Sequence, residues 1–199
     1  MPNVATLRRY GVPDSRISKM IIYRSMPLRL NVLWFNEVAA TVNNMGIDPS
    51  SCSFYLAIYS LTMMSQQKWE MKREVFKTFG WSDDEFRMAF KVQPMVMFTS
   101  EKKLRLLTDF FGKDLHLKPS AVAKYPNLFL LSLEKRIIPR CAVLQVLMSK
   151  GLIRKNVNIV SLLYMNKQSF EKRYVISYEG TAEVIKAYEG KMEFVGFDS

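Results

Sequence analysis

Residues that build catalytic and metal sites are scarce in this chain. It has one histidine, His116, and two cysteines, Cys52 and Cys141, which lie 89 positions apart. Neither the cysteines nor any carboxylate cluster has metal-ligand spacing near the histidine. The glycine-rich loops that hold nucleotide phosphates and the G-x-S-x-G turn of serine hydrolases are also absent from the sequence. We therefore expect no catalytic residues, no metal site and no cofactor, and we interpret the protein as a non-enzyme.

Long apolar runs are absent as well. No stretch approaches the roughly 18 apolar residues that a membrane-spanning helix needs, and the N-terminus lacks the charged-then-apolar order of a secretory signal peptide. Because no other secretory feature is present, we interpret both cysteines as reduced core residues. The hydrophobic fraction of 49%, with 13 phenylalanines and 13 methionines, is sufficient for a continuous core. We expect no contact with a membrane.

The most informative feature that is present is a repeated pattern of glycines. Intervals of 35, 34, 32 and 39 residues separate Gly11, Gly46, Gly80, Gly112 and Gly151. This spacing is typical of a stacked supersecondary unit and is too long for a heptad or a β-helix rung. The pattern predicts a solenoid built from helical repeats.

The two middle repeats agree beyond the glycine. Gly80 and Gly112 are each followed fourteen residues later by a proline, six residues after that by a serine, and three residues later by a lysine. These landmarks are Pro94, Ser100 and Lys103 in one repeat and Pro126, Ser132 and Lys135 in the next.

Each repeat is predicted to contain two helices separated by a break. Apolar residues at helical spacing precede each glycine, which can take the left-handed conformation that ends a helix. A capping residue such as Ser82, in the S-x-x-E box that ends at Glu85, starts the next helix, and an internal proline stops it. In the second repeat Thr62 stands where proline is expected, so we predict a weaker break and a longer continuous helix there. The few residues before Gly11 leave no room for a partner helix on the first repeat.

Positive charge is the second informative feature. The net charge is +11, and residues 101–173 alone carry 15 basic and 5 acidic side chains, or +10. Residues 45–100 are balanced, and residues 174–199 carry −3. A block of +10 repels itself unless anions are near, so the natural partner is a polyanion, and nucleic acid is the leading candidate.

Basic residues near the start of the second helix in each repeat are candidates for phosphate binding. Lys103 and Lys135 occupy the same place in successive repeats. Arg136 and Arg140 form a like-charged i, i+4 pair, which weakens an isolated helix unless an anion bridges it. Backbone N–H groups at a helix start also favour an anion, so we predict a row of phosphate sites along one edge of the solenoid. The full candidate set for nucleic-acid binding is Arg29, Lys102, Lys103, Arg105, Lys135, Arg136, Arg140, Lys172 and Arg173.

Plainer interpretations stay open for several of the charged and aromatic residues. Charged runs are often only a solvated helix face, which is how we interpret the helix where Lys68, Lys72, Arg73 and Lys77 alternate with acids. Aromatic residues could stack on bases or wedge between them, although at helical spacing they are more often core. The aromatic residues concerned are Tyr23, Tyr55, Tyr59, Trp69 and Trp81.

Six short motifs occur in order along the chain. They are G-V-P-D-S-R-I-S at 11–18, M-G-I-D-P at 45–49, K-W-E-M-K at 68–72, G-W-S-D-D-E at 80–85, S-E-K-K-L at 100–104 and S-L-E-K-R-I-I-P-R at 132–140. Together they resemble the plant branch of the mitochondrial transcription termination factors, the mTERF family.

The resemblance implies an all-α fold. The expected architecture is an α-solenoid, or superhelix, of about five repeats, each with two α-helices and a short 3₁₀ turn, curved so that a basic concave face binds nucleic acid. Residues 1–165 would form the helical-repeat array, and residues 166–199 would form C-terminal capping helices and an acidic tail. The motifs carry the binding role over to the groups Lys102, Lys103, Arg105 and Lys135, Arg136, Arg140.

The resemblance also implies a role in an organelle. The expected function is regulation of transcription through binding of double-stranded DNA, with transcription termination as its outcome. The alternatives are binding of organellar RNA in intron splicing or RNA processing, and a helical scaffold that recruits other organellar gene-expression proteins. We expect a monomer in the mitochondrion or chloroplast, although no targeting segment is evident in the chain. Plant members are usually longer, so the chain is expected to be truncated or to expose an apolar end.

Overall fold

A computed structural model describes residues 2–197, and every regular element in that range is helical. The prediction of an all-α fold of helical repeats with 3₁₀ turns is confirmed. The chain forms two compact units, divided after Ser100. The boundary expected between residues 165 and 166 stays a prediction. None of the helices within residues 2–197 has the length and apolar character needed to cross a membrane.

The first unit contains helices α1 to α6. Two 3₁₀ turns interrupt it, at Met26–Arg29 and at Pro94–Phe98, and both have proline near their start, as the break pattern predicts. The helices are α1 Pro2–Arg9, α2 Asp14–Tyr23, α3 Val32–Asn44, α4 Cys52–Met63, α5 Gln66–Thr78 and α6 Asp83–Val92.

The second unit contains helices α7 to α12. Its 3₁₀ turns lie at Pro126–Leu130 and Ile176–Tyr178, and wider π turns lie at Phe110–Asp114, Leu133–Ile137 and Glu171–Val175. The helices are α7 Glu101–Asp109, α8 Pro119–Ala123, α9 Ile138–Ser149, α10 Ile159–Tyr164, α11 Lys167–Phe170 and α12 Ala182–Tyr188.

The expectation that the first repeat has no partner helix is wrong. Residues Pro2–Arg9 form α1, which packs on α3 and on the Met26–Arg29 turn. Leu7 is fully buried, and the Asn3 side chain donates hydrogen bonds to the carbonyls of Leu28 and Leu30 at 3.2 and 2.9 Å. These eight residues therefore provide a partner helix for the first repeat.

The repeat glycines end helices by the predicted mechanism at most positions. Gly151 has φ 68°, and the N–H of Leu152 donates to the carbonyl of Leu147, which is the bond that closes a Schellman motif. Gly112 differs because it lies inside the Phe110–Asp114 π turn, and the left-handed residue there is His116 with φ 49°. The wider turn delays the end of that helix by several residues.

The break near Thr62 is weaker than its counterparts, as predicted, because no 3₁₀ turn separates α4 from α5 in the described residues 52–78, and α4 has 12 residues where α2 and α6 have 10 each. Helix α4 ends at Met63, Met64 is extended, and Ser65 caps α5 by accepting a hydrogen bond from the Lys68 N–H at 3.4 Å. A serine cap starts a new helix without help from proline, because its side chain satisfies a free N–H of the first turn.

Aromatic residues build much of the first core. The rings of Phe76 and Trp81 stack with centroids 4.5 Å apart, and Tyr55 is also buried. Trp69 packs edge-on against Phe90 with centroids 5.0 Å apart. These contacts favour the core interpretation over base stacking for those residues. Tyr23, in contrast, is 77% exposed.

Helix α9 is the central element of the second core. Cys141, Val143, Leu144 and Leu147 are fully buried along it, and α12 and the Glu171–Val175 turn pack against it. The core interpretation therefore holds for Cys141, whose thiol pKa is raised by burial. Cys52 differs, because it is exposed at the first turn of α4.

Candidate nucleic-acid interface

The Leu133–Ile137 turn shows how the sequence places the second group of candidate cations. Ser132 accepts a hydrogen bond from the Lys135 N–H at 3.1 Å and so starts the turn. Pro139 has no N–H, so the backbone bond to the Lys135 carbonyl is missing. The chain opens into a π turn, in which the Ile137 N–H donates to the Ser132 carbonyl at 3.1 Å.

Arg140 does not reach the surface. It is 2% exposed, and its Nη1 donates to the carbonyls of Leu162, Leu163 and Met165 at 3.3, 2.9 and 2.5 Å. Burial, with a smaller effect of the Arg136 charge, lowers the pKa of Arg140 to about 10. The expectation that Arg140 contacts a nucleic-acid phosphate at the surface is therefore wrong, since its donors hold the C-terminal end of α10.

Lys103 and Arg136 share part of this structural role. Lys103 Nζ donates to the Leu130 carbonyl at 3.1 Å, and Arg136 Nη2 donates to the Met165 carbonyl at 3.1 Å. Both side chains are half-buried. Lys103 joins α7 to the end of the Pro126–Leu130 turn, and Arg136 joins the Leu133–Ile137 turn to the C-cap of α10.

The first unit contains the same contact, which the sequence patterns did not reveal. Lys72 donates to the carbonyls of Met97 and Thr99, which lie 25 and 27 residues further along the chain. Asn3 makes its two bonds at the same separations of 25 and 27 residues. Lys72 is buried, so its assignment to a solvated face is wrong. A polar donor placed 25 to 27 residues before the last carbonyls of a break is the signal that would have identified it.

The remaining candidate side chains are exposed, and they differ in whether they have a partner. Arg105 forms an ion pair with Glu101 at 2.7 Å, and the Arg173 guanidinium lies 5.5 Å from the Tyr174 ring centroid. The side chains of Lys102, Lys135, Lys172 and Arg29 are exposed and form no ion pair or hydrogen bond with any of residues 2–197. Arg29 belongs to the first unit, at the end of the Met26–Arg29 turn, and the other three belong to the second.

The structure brings some of these residues together. Lys135, Arg136 and Arg140 line one cavity in the second unit with two residues that sequence reasoning missed, Lys167 and Tyr188. Lys103 Nζ contacts the Leu130 carbonyl, and Leu130 precedes Ser132 by two residues. The Lys103 side chain therefore lies beside the start of the next basic turn. Among residues 2–197, no group of three or more His, Cys, Asp or Glu side chains is placed to hold a metal ion.

Comparison with known proteins identifies one family. The family model for mTERF matches residues 1–171, which span the first unit and most of the second. No curated protein and no solved structure matches the chain.

Proposed function

The chain belongs to the mTERF family, and we propose that it binds double-stranded DNA in a mitochondrion or chloroplast and regulates transcription there. The family binds nucleic acids in organelles and regulates transcription. Transcription termination is the outcome we assign to this binding. Within the family we assign the chain to the plant organellar branch, on the motifs between residues 11 and 140. It acts without catalysis, as a monomer.

The contrast in charge between two segments is the observation that carries the proposal. Residues 45–100 carry equal numbers of acidic and basic side chains, and some of them pair, as Arg73 does with Asp83 at 2.7 Å. Residues 101–173 carry +10. Their exposed cations include Lys102, Lys135 and Lys172, which have no partner among residues 2–197. An excess of exposed, unpaired cations suits a polyanion, because binding releases the counterions of the phosphates.

The proposal is tested by the salt dependence of DNA binding. Binding of duplex DNA is measured by fluorescence anisotropy over a series of salt concentrations, for the wild type and for the triple variant Lys102→Gln, Lys135→Gln, Lys172→Gln. Each lost phosphate contact makes the slope of log K against log salt less negative by about 0.9, so the triple variant should lose up to about 2.7.

A matched control separates this surface from general charge. The variant Lys68→Gln, Lys77→Gln, Lys91→Gln removes the same charge from exposed positions of the first unit. Its slope should stay close to that of the wild type. Wild-type binding that is absent or insensitive to salt would contradict the proposal. Equal changes of slope in the two variants would show that net charge, and not the surface of the second unit, governs binding.

The choice of DNA over RNA is tested with the same protein. Matched duplex DNA, duplex RNA and single-stranded RNA are titrated at one salt concentration. Tighter binding of either RNA would replace the DNA assignment by an RNA-binding role in splicing or processing. Protein partners that are retained after nuclease digestion of a pull-down, together with weak binding of every nucleic acid, would favour the scaffold alternative.

A further inference from the structure

One cavity of the second unit is lined mainly by cations. Its volume is about 310 Å³, and its lining residues come from the Leu133–Ile137 turn, α9, α11 and α12. These residues are Lys135, Arg136, Arg140, Lys167 and Tyr188. Four of the five side chains carry positive charge; three of them lie on the turn and on α9, and Lys167 joins them from α11.

Arg136 lines this cavity, and its guanidinium is only partly hydrogen-bonded. Its Nη2 is bound to the Met165 carbonyl, but its Nε is buried and has no hydrogen-bond partner among residues 2–197. A buried N–H of a charged group without a partner costs more than an ordinary lost hydrogen bond. The Arg136 guanidinium is therefore incompletely satisfied where it lines the cavity.

The acidic counter-charge at the cavity is small. Glu171 Oε1 lies 3.7 Å from Lys167 Nζ and accepts a hydrogen bond from the Tyr188 hydroxyl at 2.9 Å. Glu171 therefore offsets only part of the charge of the four cations, two of which, Arg136 and Arg140, repel one another. A bound anion would lower this repulsion, and it would be held more strongly than at a flat surface because the cavity is partly shielded from water.

We propose that this cavity is a binding site for a phosphate group. Phosphate oxygens point in several directions, so one group can accept from the Arg136 guanidinium, Lys135 Nζ and Lys167 Nζ together, whereas a planar carboxylate offers two oxygens in one plane. The cavity also has room for the group that carries the phosphate. Arg140 contributes its charge from the wall, and Tyr188 is occupied by Glu171. The inference goes beyond the proposed function, since such a site binds a phosphate whether or not it belongs to a nucleic acid.

The test uses the full chain and inorganic phosphate. Isothermal titration calorimetry at constant ionic strength compares phosphate, sulfate, acetate and chloride. We expect saturable phosphate binding with a Kd on the order of 1 mM or tighter, weaker binding of acetate, and no saturation with chloride. In a ¹⁵N-resolved NMR spectrum, the Nε–H signal of Arg136 should shift with the same Kd. Phosphate that behaves as chloride does, or an Arg136 signal that stays unmoved at saturation, would overturn the inference.

Single substitutions locate the site without disturbing the core. Lys135→Gln and Lys167→Gln change exposed side chains, and each should weaken phosphate binding by about fivefold through loss of one charge-assisted hydrogen bond. Lys118→Gln and Lys124→Gln remove the same charge from exposed positions that do not line the cavity, and they should leave the Kd unchanged. Equal weakening by all four variants would mean that only the net charge matters, and the cavity assignment would fail.

Competition identifies the source of the phosphate. At constant ionic strength, saturating phosphate should weaken duplex DNA binding if the cavity holds a backbone phosphate. Phosphate and adenosine monophosphate that bind without weakening the DNA complex would assign the cavity to a free phosphorylated molecule. Phosphate binding and DNA binding are measured in separate titrations. A negative result for DNA therefore does not affect the test of the phosphate site, and a negative result for phosphate does not affect the test of DNA binding.

Discussion

The guanidinium of Arg140 lies over the ring of Phe170, with its central carbon 4.4 Å from the ring centroid. The same group donates to the carbonyls of Leu162, Leu163 and Met165. An aromatic face and backbone oxygens thus hold a buried charge that has no direct carboxylate partner among residues 2–197. This contact joins α9 to the two helices that follow it.

Removal of the Arg140 side-chain donors should destabilise the second unit. Arg140→Met fills a similar space but removes the buried donor to the carbonyls of Leu162, Leu163 and Met165, so we expect a loss of about 3 kcal/mol in the free energy of unfolding. Urea denaturation followed by circular dichroism measures it. Arg173→Met, at an exposed position, should change the stability by less than about 0.5 kcal/mol. Similar losses in the two variants would contradict the structural role of Arg140.

The equivalent contact in the first unit predicts a local effect. Lys72→Met should remove the donors to Met97 and Thr99 and cost about 2 kcal/mol. Amide hydrogen exchange should become faster in the Pro94–Phe98 turn. The control is Lys68→Met, which alters an exposed lysine of the same helix and should leave exchange in the turn unchanged. If both variants exchange alike, Lys72 does not hold the turn.

A glycine pair tests the helix-ending mechanism. Gly151 has φ 68° and open space where a Cβ would lie, so Gly151→Ala should cost about 1–2 kcal/mol through backbone strain alone. Gly180 also has open space but a φ outside the left-handed region. Gly180→Ala should therefore be neutral or slightly stabilising. Thermal unfolding compares the two, and equal effects would argue against the C′ role of Gly151.

The two thiols should differ in reactivity. Cys52 is exposed beside the Arg16 guanidinium, whereas Cys141 is fully buried and burial raises its thiol pKa. An aromatic disulfide reagent should titrate one thiol quickly in the native protein and the second only in denaturant. In Cys52→Ser the fast reaction should disappear. Two fast thiols in the native wild type would show that α9 is not buried in solution.

The ion pair between Lys150 and Glu183 predicts a pH dependence. The hydrogen bond from Lys150, at 2.9 Å, lowers the pKa of the Glu183 carboxyl from its ordinary value of 4.5. A lowered folded-state pKa stabilises the protein above pH 4.5, and this contribution is lost as the pH falls through the folded-state value. Glu183→Gln should therefore lower Tm slightly near neutral pH.

The effect of Glu183→Gln on Tm should vanish in acid, where the wild-type carboxyl is protonated. Glu179→Gln serves as the control, because Glu179 is exposed and forms no ion pair with residues 2–197. It should give no difference at either pH. A Tm difference for Glu183→Gln that persists in acid would show that the pair is not its cause.

The amino-acid sequence determined the helical elements and most of their ends. The caps at Ser82 and Ser132, the prolines at the 3₁₀ turns and the glycines that end helices all act within about one helical turn, so their effects can be predicted from neighbouring residues. The cationic character of residues 101–173 follows from composition alone.

Only the tertiary structure decided what each cation does. Lys102 and Lys103 are neighbours with the same charge, yet Lys102 is exposed and Lys103 donates to a carbonyl 27 residues away. Arg140 fits the surface pattern of charge but is buried, and Lys167 joins the cation-lined cavity from a later element. These outcomes depend on which carbonyls the next repeat leaves free and where it stacks. Such long-range contacts have no local signature, because residues 22 to 29 positions apart meet only after the helices pack.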